Sequence, residues 1–356
     1  MKKVRVAIIG QGRSGRDIHA AYIKTDKRFE IAAAVDVLKE RRERAARELG
    51  CAVYRDYKAV LKRDDIDLVI NAAPSCFHVP VTLEFLNARF NVLCEKPLAQ
   101  RASDVDRLIA ASKKSRRVLA IFQQSRFAPY FQQVRKVMDS GILGDIVQVS
   151  IAFSGFSRRY DWQTLTGFMG GNLLNTGPHP LDQALQIFDT DVMPEVHCVM
   201  RNATSYGDAD DHVLLTLTGR DRPIIHLEIS SCRSYPMFTY HVYGTRGGLK
   251  GGPCEMEWKY YLPEEAPRKR LTRRPLSGPD GTPVYCSDAL TWHKKTWRVP
   301  KSKSNLFMYM SGSFYNMLHK SLTKGEPLLI TPEQVRRQAA VIEECQRQNP
   351  HIYGKK

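Results

Sequence analysis

The sequence predicts an α/β protein: an N-terminal doubly wound parallel sheet, then a C-terminal α+β domain built on a mainly antiparallel sheet. Three observations carry this. Over the first 124 residues, short β-branched apolar runs alternate with helical segments, the pattern of strands buried on both faces. A glycine-rich turn follows the first of those runs. After residue 145 the apolar period drops to two, as in strands with one covered face. At 356 residues the chain exceeds one average domain. The change of period places the division at 1–124 and 125–356.

The first half reads in order. "VRVAIIG" (4–10) is a strand, and "FEIAAAVD" (29–36) a second. "LKERRERAARELG" (38–50) is a charged amphipathic helix stopped by Gly50. "IDLVINAAP" (66–74) is a strand, "VPVTLEFLNA" (79–88) a helix and "NVLCEKP" (91–97) a strand. "ASDVDRLIAASKKS" (102–115) is a helix with Ser103 as candidate cap, and "RVLAIFQQ" (117–124) the fifth strand.

The turn "GQGRSG" places Gly10, Gly12 and Gly15 as G-x-G-x-x-G, directly after a strand and opening a helix. Asp36 closes the second strand 21 residues after Gly15. In that context the glycines are a dinucleotide-binding fingerprint rather than an ordinary turn. Gly10 permits the tight turn, Gly12 the approach of a pyrophosphate, and Gly15 the packing of helix on strand. Arg13 and Ser14 lie where the helix N-terminus offers free N–H groups. Asp36 accepts hydrogen bonds from ribose hydroxyls and repels a 2′-phosphate, which favours NAD over NADP. The neighbouring Arg41 and Arg42 soften that preference.

In the second half, Val147, Val149, Ile151 and Phe153 alternate, as do Val213, Leu215 and Leu217. Ile225, Leu227 and Ile229 follow, then Phe238, Tyr240 and Val242. One antiparallel sheet is the simplest reading. Its other face is mixed and includes His197, Val199, Leu214 and His241. Such a face without a covering helix predicts a subunit interface. Helices over 305–325 and 332–348 close the chain, the second with Thr331 as N-cap and Pro332 in its first turn.

Apolar residues make up 43% of the chain and charged residues 26%, ordinary values for a soluble globular protein. No apolar run approaches the ~18 residues of a membrane span, so no membrane partner is expected. "MKKVRVAIIGQG" ends in a glycine turn and reads as a first strand rather than a signal peptide. The eight cysteines form no CxxC pair and show no zinc-type spacing. That pattern predicts no metal site, and reduced thiols in the cytoplasm. The net charge of +17 is partly concentrated in a basic, proline-rich insertion at 266–303. It reads as a mostly loop-like solvated surface, with an anion-binding surface as the alternative. No helix-turn-helix, finger or RNP signature supports a nucleic-acid partner.

Residues 170–182 read "GGNLLNTGPHPLD". Leu181, Ala184, Leu185 and Phe188 fall at helical spacing and predict a core stripe. Taken alone, His179 is a loop residue at a rigid helix entrance.

These residues together resemble the glucose–fructose oxidoreductase / inositol dehydrogenase (Gfo/Idh/MocA) family over nearly the whole chain. The matching pieces are the glycine turn running to His19, Pro74 and His78 in "AAPSCFH", Glu95-Lys96-Pro97, Arg126 in "QQSRFAPYF", and the Gly-Gly-to-His stretch. The resemblance implies a Rossmann domain over 1–124 and a substrate-binding and oligomerisation domain over 125–356. It implies a nicotinamide cofactor, a sugar, cyclitol or polyol substrate, and a homodimer or homotetramer. It places His179 and Lys96 at the reacting centre. Cofactor contacts are implied for Gly10, Gly12, Arg13, Ser14, Gly15, Asp36, Ala73, Pro74, His78, Glu95 and Lys96. Substrate contacts are expected of Arg126, Asn175, Tyr160 and Trp162, with Arg158 or Arg159 available for a carboxylate or the cofactor. A cis Lys96–Pro97 bond is implied as well.

One position departs from the family pattern: its Asp is Asn175 here. Asn takes no proton, so proton transfer narrows to His179 or Lys96, while Asn175 still hydrogen-bonds a hydroxyl. The expected activity is an NAD-dependent oxidoreductase on CH–OH groups. The alternatives are glycoside cleavage through transient oxidation and elimination, and a cofactor-bound regulator without catalysis.

Overall fold

The computed structural model of the chain describes residues 3–189 and 191–354. Six strands make the first sheet: β1 (Val4–Ile9), β2 (Phe29–Val35), β3 (Ala52–Tyr54), β4 (Leu68–Asn71), β5 (Asn91–Cys94) and β6 (Leu119–Ile121). They run parallel in the order β3-β2-β1-β4-β5-β6. The chain winds outward from β1 to β3, then returns to β4 on the other side of β1. The reversal opens a crevice at the carboxyl ends of β1 and β4, where such sheets take ligands. The expected strands are present. The edge strand β3 is an addition, too short to show a period of its own.

A helical segment over Ser14–Ala20, π-wound, continues into α1 (Ala21–Ile23). Then come α2 (Lys39–Leu49), α3 (His78–Asn87) and α4 (Ala102–Ser115). Gly50 ends α2 in the left-handed conformation, φ 62°, at no cost in Cβ clash. Ser103 does not cap α4. Arg101 occupies the cap position with no side-chain bond, and the Ala102 amide donates to Glu343 at 3.1 Å. A distant carboxylate thus does the work expected of a local serine.

After α5 (Pro129–Asp139), eight strands form the second sheet: β7 (Ile146–Ser154), β8 (Glu195–Arg201), β9 (His212–Thr218), β10 (Ile224–Ser230), β11 (Tyr240–Gly244), β12 (Gly247–Gly251), β13 (Glu255–Tyr260) and β14 (His293–Arg298). Their order is β14-β13-β12-β11-β7-β10-β9-β8. The sheet is not wholly antiparallel, because β7 and β10 pair in parallel. Between them in sequence the chain leaves the sheet to build the site and the pair β8–β9. Phe238 falls outside β11. The basic 266–303 segment is not all loop, because β14 lies in it as an edge strand paired with β13.

Val149, Ile151, Leu215, Leu217, Ile225, Leu227, Ile229 and Val242 are buried on one face of this sheet. Helices α6 (Asn172–Asn175), α7 (Pro178–Phe188) and α9 (Pro332–Gln348) contact the sheet. Leu181, Ala184, Leu185 and Phe188 form the buried stripe of α7. On the opposite face Val199, Leu214, Ile224 and Tyr243 are exposed. Helix α8 (Leu306–Lys324) returns to the first sheet, where Phe314, Tyr315 and Leu318 join its core. Helix α9 serves both cores: Val335 and Ala339 pack in the first, Val341, Ile342 and Cys345 in the second. The chain closes with α10 (Pro350–Tyr353).

Candidate active site

The glycine turn leaves β1 with Gly10 at φ 91°. A β-carbon at Gly10 would stand 2.4 Å from the Ala72 carbonyl oxygen, and one at Gly15 1.8 Å from that of Gly10. Both positions therefore exclude any side chain. At Gly12 the same test meets only Arg41 Nη1, at 3.6 Å, so the turn stays open there. The Gln11 side chain is buried, and its Nε2 has no partner among the described residues. An open glycine cradle and an orphaned buried donor fit a dinucleotide. Asp36 is integrated into this turn. It accepts from the Gln11 amide at 2.8 Å and the Leu38 amide at 2.9 Å, with Arg41 Nη1 at 3.4 Å. Arg42 caps the carbonyls of Asp36 and Val37, both at 2.9 Å. Arg13 stands exposed and Ser14 half-buried at the helix start.

Across the crevice, His78 staples the loops after β4 and β5. Its ring nitrogens lie 2.9 Å from the Ala73 carbonyl and 2.7 Å from the Pro97 carbonyl. Burial lowers its pKa. Ala73 and Pro74 are thereby held beside the glycine turn, and the Lys96–Pro97 bond is cis. Glu95 is buried and bonds His19 Nε2 at 3.1 Å, while His19 Nδ1 meets the Tyr315 hydroxyl at 2.7 Å. Burial alone would raise the Glu95 pKa. The His19 hydrogen bond and the charges of His19, Lys96 and His78 outweigh it and hold it at about 2.

Lys96, in the loop after β5, and His179, on α7, converge. Lys96 Nζ donates to the Asn175 carbonyl at 2.8 Å. Burial lowers its pKa; Glu95 opposes that, while Arg13 and Arg159 add to it. His179 stands in the first turn of α7, its Nδ1 3.1 Å from both Ser125 Oγ and Gln123 Oε1. Burial, and then the Lys96 charge, push its pKa down to about 3, so at neutral pH the imidazole is uncharged.

A chain of amides selects its tautomer. Gln338 Nε2 donates to the Pro178 carbonyl at 2.5 Å, and Gln123 Nε2 donates to Gln338 Oε1 at 2.8 Å. Gln123 therefore turns its oxygen to His179, and Nδ1 carries the proton. The Nε2 lone pair is left to act as a base.

Asn175 lies on α6, whose first turn is fixed from below. Asp210 accepts from the Leu173 amide at 2.9 Å and from the Tyr353 hydroxyl. Burial pushes the Asp210 carboxyl up to about 6 against those two donors. Gly171, at φ 100°, is required because a β-carbon would stand 2.3 Å from Asp210 Oδ1. Asn175 Oδ1 accepts from Gln163 Nε2 at 3.3 Å, and Gln163 Oε1 takes a donor from Arg159.

Other candidates are placed differently. Arg126 is committed to Asp182, Gln334 and the Leu329 carbonyl, so it braces α7 against α9 and turns no free edge to a substrate. Trp162 packs edge-on to Phe168. Tyr160 is 84% exposed in the same loop. The residues that sequence reasoning missed are Gln123, Gln338, Ser125, Gln163 and Asp210. Only Gln123 carried a signal, its place just beyond β6 at the ligand-binding end of a parallel strand.

Residues 4–123 match the family model described as oxidoreductase family, NAD-binding Rossmann fold, and 131–250 match the GFO/IDH/MocA C-terminal domain. The chain is 26% identical to the 2,7-anhydro-N-acetylneuraminate hydratase of Mediterraneibacter gnavus, over 72% of this chain and 69% of that one. It is 23% identical to the scyllo-inositol 2-dehydrogenase (NADP(+)) IolW of Bacillus subtilis, over 93% and 89%. An NAD-binding protein from Listeria innocua shares the fold with TM-score 0.80, 22% identity, and coverage of 98% and 97%. Among the described residues, no helix is long and apolar enough to cross a membrane.

Proposed function

The chain belongs to the Gfo/Idh/MocA family of NAD(P)-binding oxidoreductases, and on that premise we propose that it moves a hydride between nicotinamide and a hydroxyl-bearing carbon of a sugar, cyclitol or related polyol. The observation that carries this is the convergence of Lys96, from the loop after β5, with Asn175 on α6 and His179 on α7. When bound, the nicotinamide cofactor supplies the hydride chemistry. His179 Nε2 takes the hydroxyl proton, and the Lys96 ammonium hydrogen-bonds the reacting oxygen and stabilises developing alkoxide. Asn175 orients the substrate without taking a proton. Gly10, Gly12, Arg13, Ser14, Gly15 and the loop at Ala73 and Pro74 hold the cofactor, and Glu95 faces its nicotinamide ribose. Tyr160 and Trp162 flank the substrate entrance.

NAD is the preferred form, since Asp36 stands at the 2′ position. IolW, named for NADP, shows that the family also takes the phosphorylated form. The division at 124/125 separates cofactor from substrate binding. The open face of the second sheet is the surface of a homo-oligomer, and eight unpaired cysteines fit a reducing cytoplasm.

The experiment is a sugar and polyol panel with NAD⁺ and NADP⁺, followed by NADH absorbance and product analysis. Net NADH formation that Lys96→Ala abolishes supports the reading. The hydratase relative motivates a second reading, in which oxidation is transient and a glycosidic group is eliminated before re-reduction. Product formation without net NADH selects it.

A further inference from the structure

Lys96 heads a polar run that ends in two guanidiniums. Its ammonium rests on a neutral carbonyl, that of Asn175, at 2.8 Å. The adjoining carboxylate, Glu95, is already engaged, by His19 through Oε1 and by the Lys96 amide through Oε2. From Lys96 a polar chain runs outward through Asn175 and Gln163 to Arg159. No carboxylate lies between Lys96 and Arg159 on that chain, because position 175 is Asn. Arg159 gives Nε and Nη2 to Asp161, at 2.6 and 3.0 Å. Its Nη1 has no partner among the described residues. The next guanidinium, Arg158, donates to the Tyr206 hydroxyl at 2.6 Å and lies 5.2 Å over that ring. Arg158 has no carboxylate partner among the described residues. The Tyr206 amide in turn donates to the Arg159 carbonyl at 3.0 Å, tying the two loops together. Glu95 and Asp161 offset Lys96 and Arg159, while the exposed Arg158 is left without a carboxylate, so both guanidiniums keep unused donors. A guanidinium edge with spare donors suits a carboxylate or phosphate.

We propose that the substrate of this centre is an anionic sugar, whose carboxylate or phosphate is held by Arg159 and Arg158 while its reacting hydroxyl meets His179 and Lys96. This rests on the hydride-transfer reading and specifies its substrate class. The test uses the full chain with NAD⁺ and matched sets of aldose, uronate and aldose 6-phosphate, with initial rates followed by NADH absorbance. The expected result is a kcat/KM for one anionic series at least about 10-fold above the neutral sugar, declining as salt is raised. Whichever anionic series is preferred identifies the group bound. Arg159→Gln, and separately Arg158→Gln, should lower the anionic-to-neutral ratio, chiefly through KM for the acid. NADH fluorescence titration checks that each variant is folded and still binds cofactor. Asn175→Asp should shrink the same ratio by adding a negative charge that repels the anionic substrate. Neutral sugars turned over as well as acids, or both arginine variants leaving the ratio unchanged, overturn the inference alone. NADH binding with no turnover of any panel member overturns the hydride-transfer reading, and this inference with it.

Discussion

His179 enters its site with one ring nitrogen already committed. The amide chain from Pro178 through Gln338 and Gln123 puts the proton on Nδ1, and burial keeps the ring neutral down to about pH 3. A general base must be unprotonated, so the acid limb of kcat/KM should lie well below neutrality. Gln123→Glu would place an anionic acceptor at Nδ1 and favour imidazolium. The acid limb should then move to higher pH, measurable as a kcat/KM profile by NADH absorbance. His179→Ala should fold and bind NAD(H) yet lose roughly 10²- to 10⁴-fold in turnover. Retention of more than about half of the wild-type rate would remove His179 from the mechanism. At the cofactor's far end, Asp36→Ala should narrow the gap between NAD(H) and NADP(H) affinity in calorimetric titration, with Arg41 left to face a 2′-phosphate. Equal affinities in the wild type would contradict the assignment.

At the level of single elements, α9 is anchored by a reciprocal cap. Thr331 accepts from the Gln334 amide at 3.2 Å, and the Gln334 side chain accepts from the Thr331 amide at 3.3 Å. Thr331→Ala should cost about 1 kcal/mol, read as a lower midpoint in thermal or denaturant unfolding. Helix α6 depends instead on a buried acid. Asp210 has its pKa raised to about 6 in the fold, above an ordinary carboxylate near ~3.9. The folded state therefore holds that proton more tightly than the unfolded chain does. Its contribution to stability is greatest below about pH 4, falls as pH rises to about 6, and is level above that. Asp210→Asn should remove this slope. The difference in Tm between wild type and variant should change between those pH values and nowhere above them.

The whole molecule is organised by its second sheet. One face packs on helices, while the register aligns His197, Thr216, His226, Ser150, His241 and Lys250 across the other. Val199 and Leu214 pair directly on that open face and are 54% and 47% exposed. This exposed apolar pair lies at the centre of the surface proposed for a homo-oligomer. Val199→Asp with Leu214→Asp should give a monomer by light scattering at micromolar concentration while the wild type remains oligomeric. A monomeric wild type would count against the interface. At the outer edge, β14 carries Lys294 and Lys295. Edge lysines oppose the addition of further strands, a structural use for part of the basic segment.

What the sequence determined by itself is what near neighbours along the chain decide. The glycine turn at Gly10–Gly15, the stop at Gly50, the cap at Thr331 and the stripe on α7 all follow from local sterics and periodicity, and all are in place. The short and polar strands β3, β12, β13 and β14 carry too weak a period to be read that way. The parallel pairing of β7 with β10 depends on how the intervening chain travels. The candidate site divides along the same line. Lys96, Asn175 and His179 stood out as residue types in ordered motifs. The residues that orient them act across long separations: Gln123 and Gln338 are 215 positions apart, and Arg126 reaches Asp182 and Gln334 instead of a substrate. A hydrogen bond between distant residues leaves no periodic trace, because its geometry is set by the packing of α7 and α9 between the two cores. Only the tertiary structure decides which ring nitrogen of His179 faces the reaction.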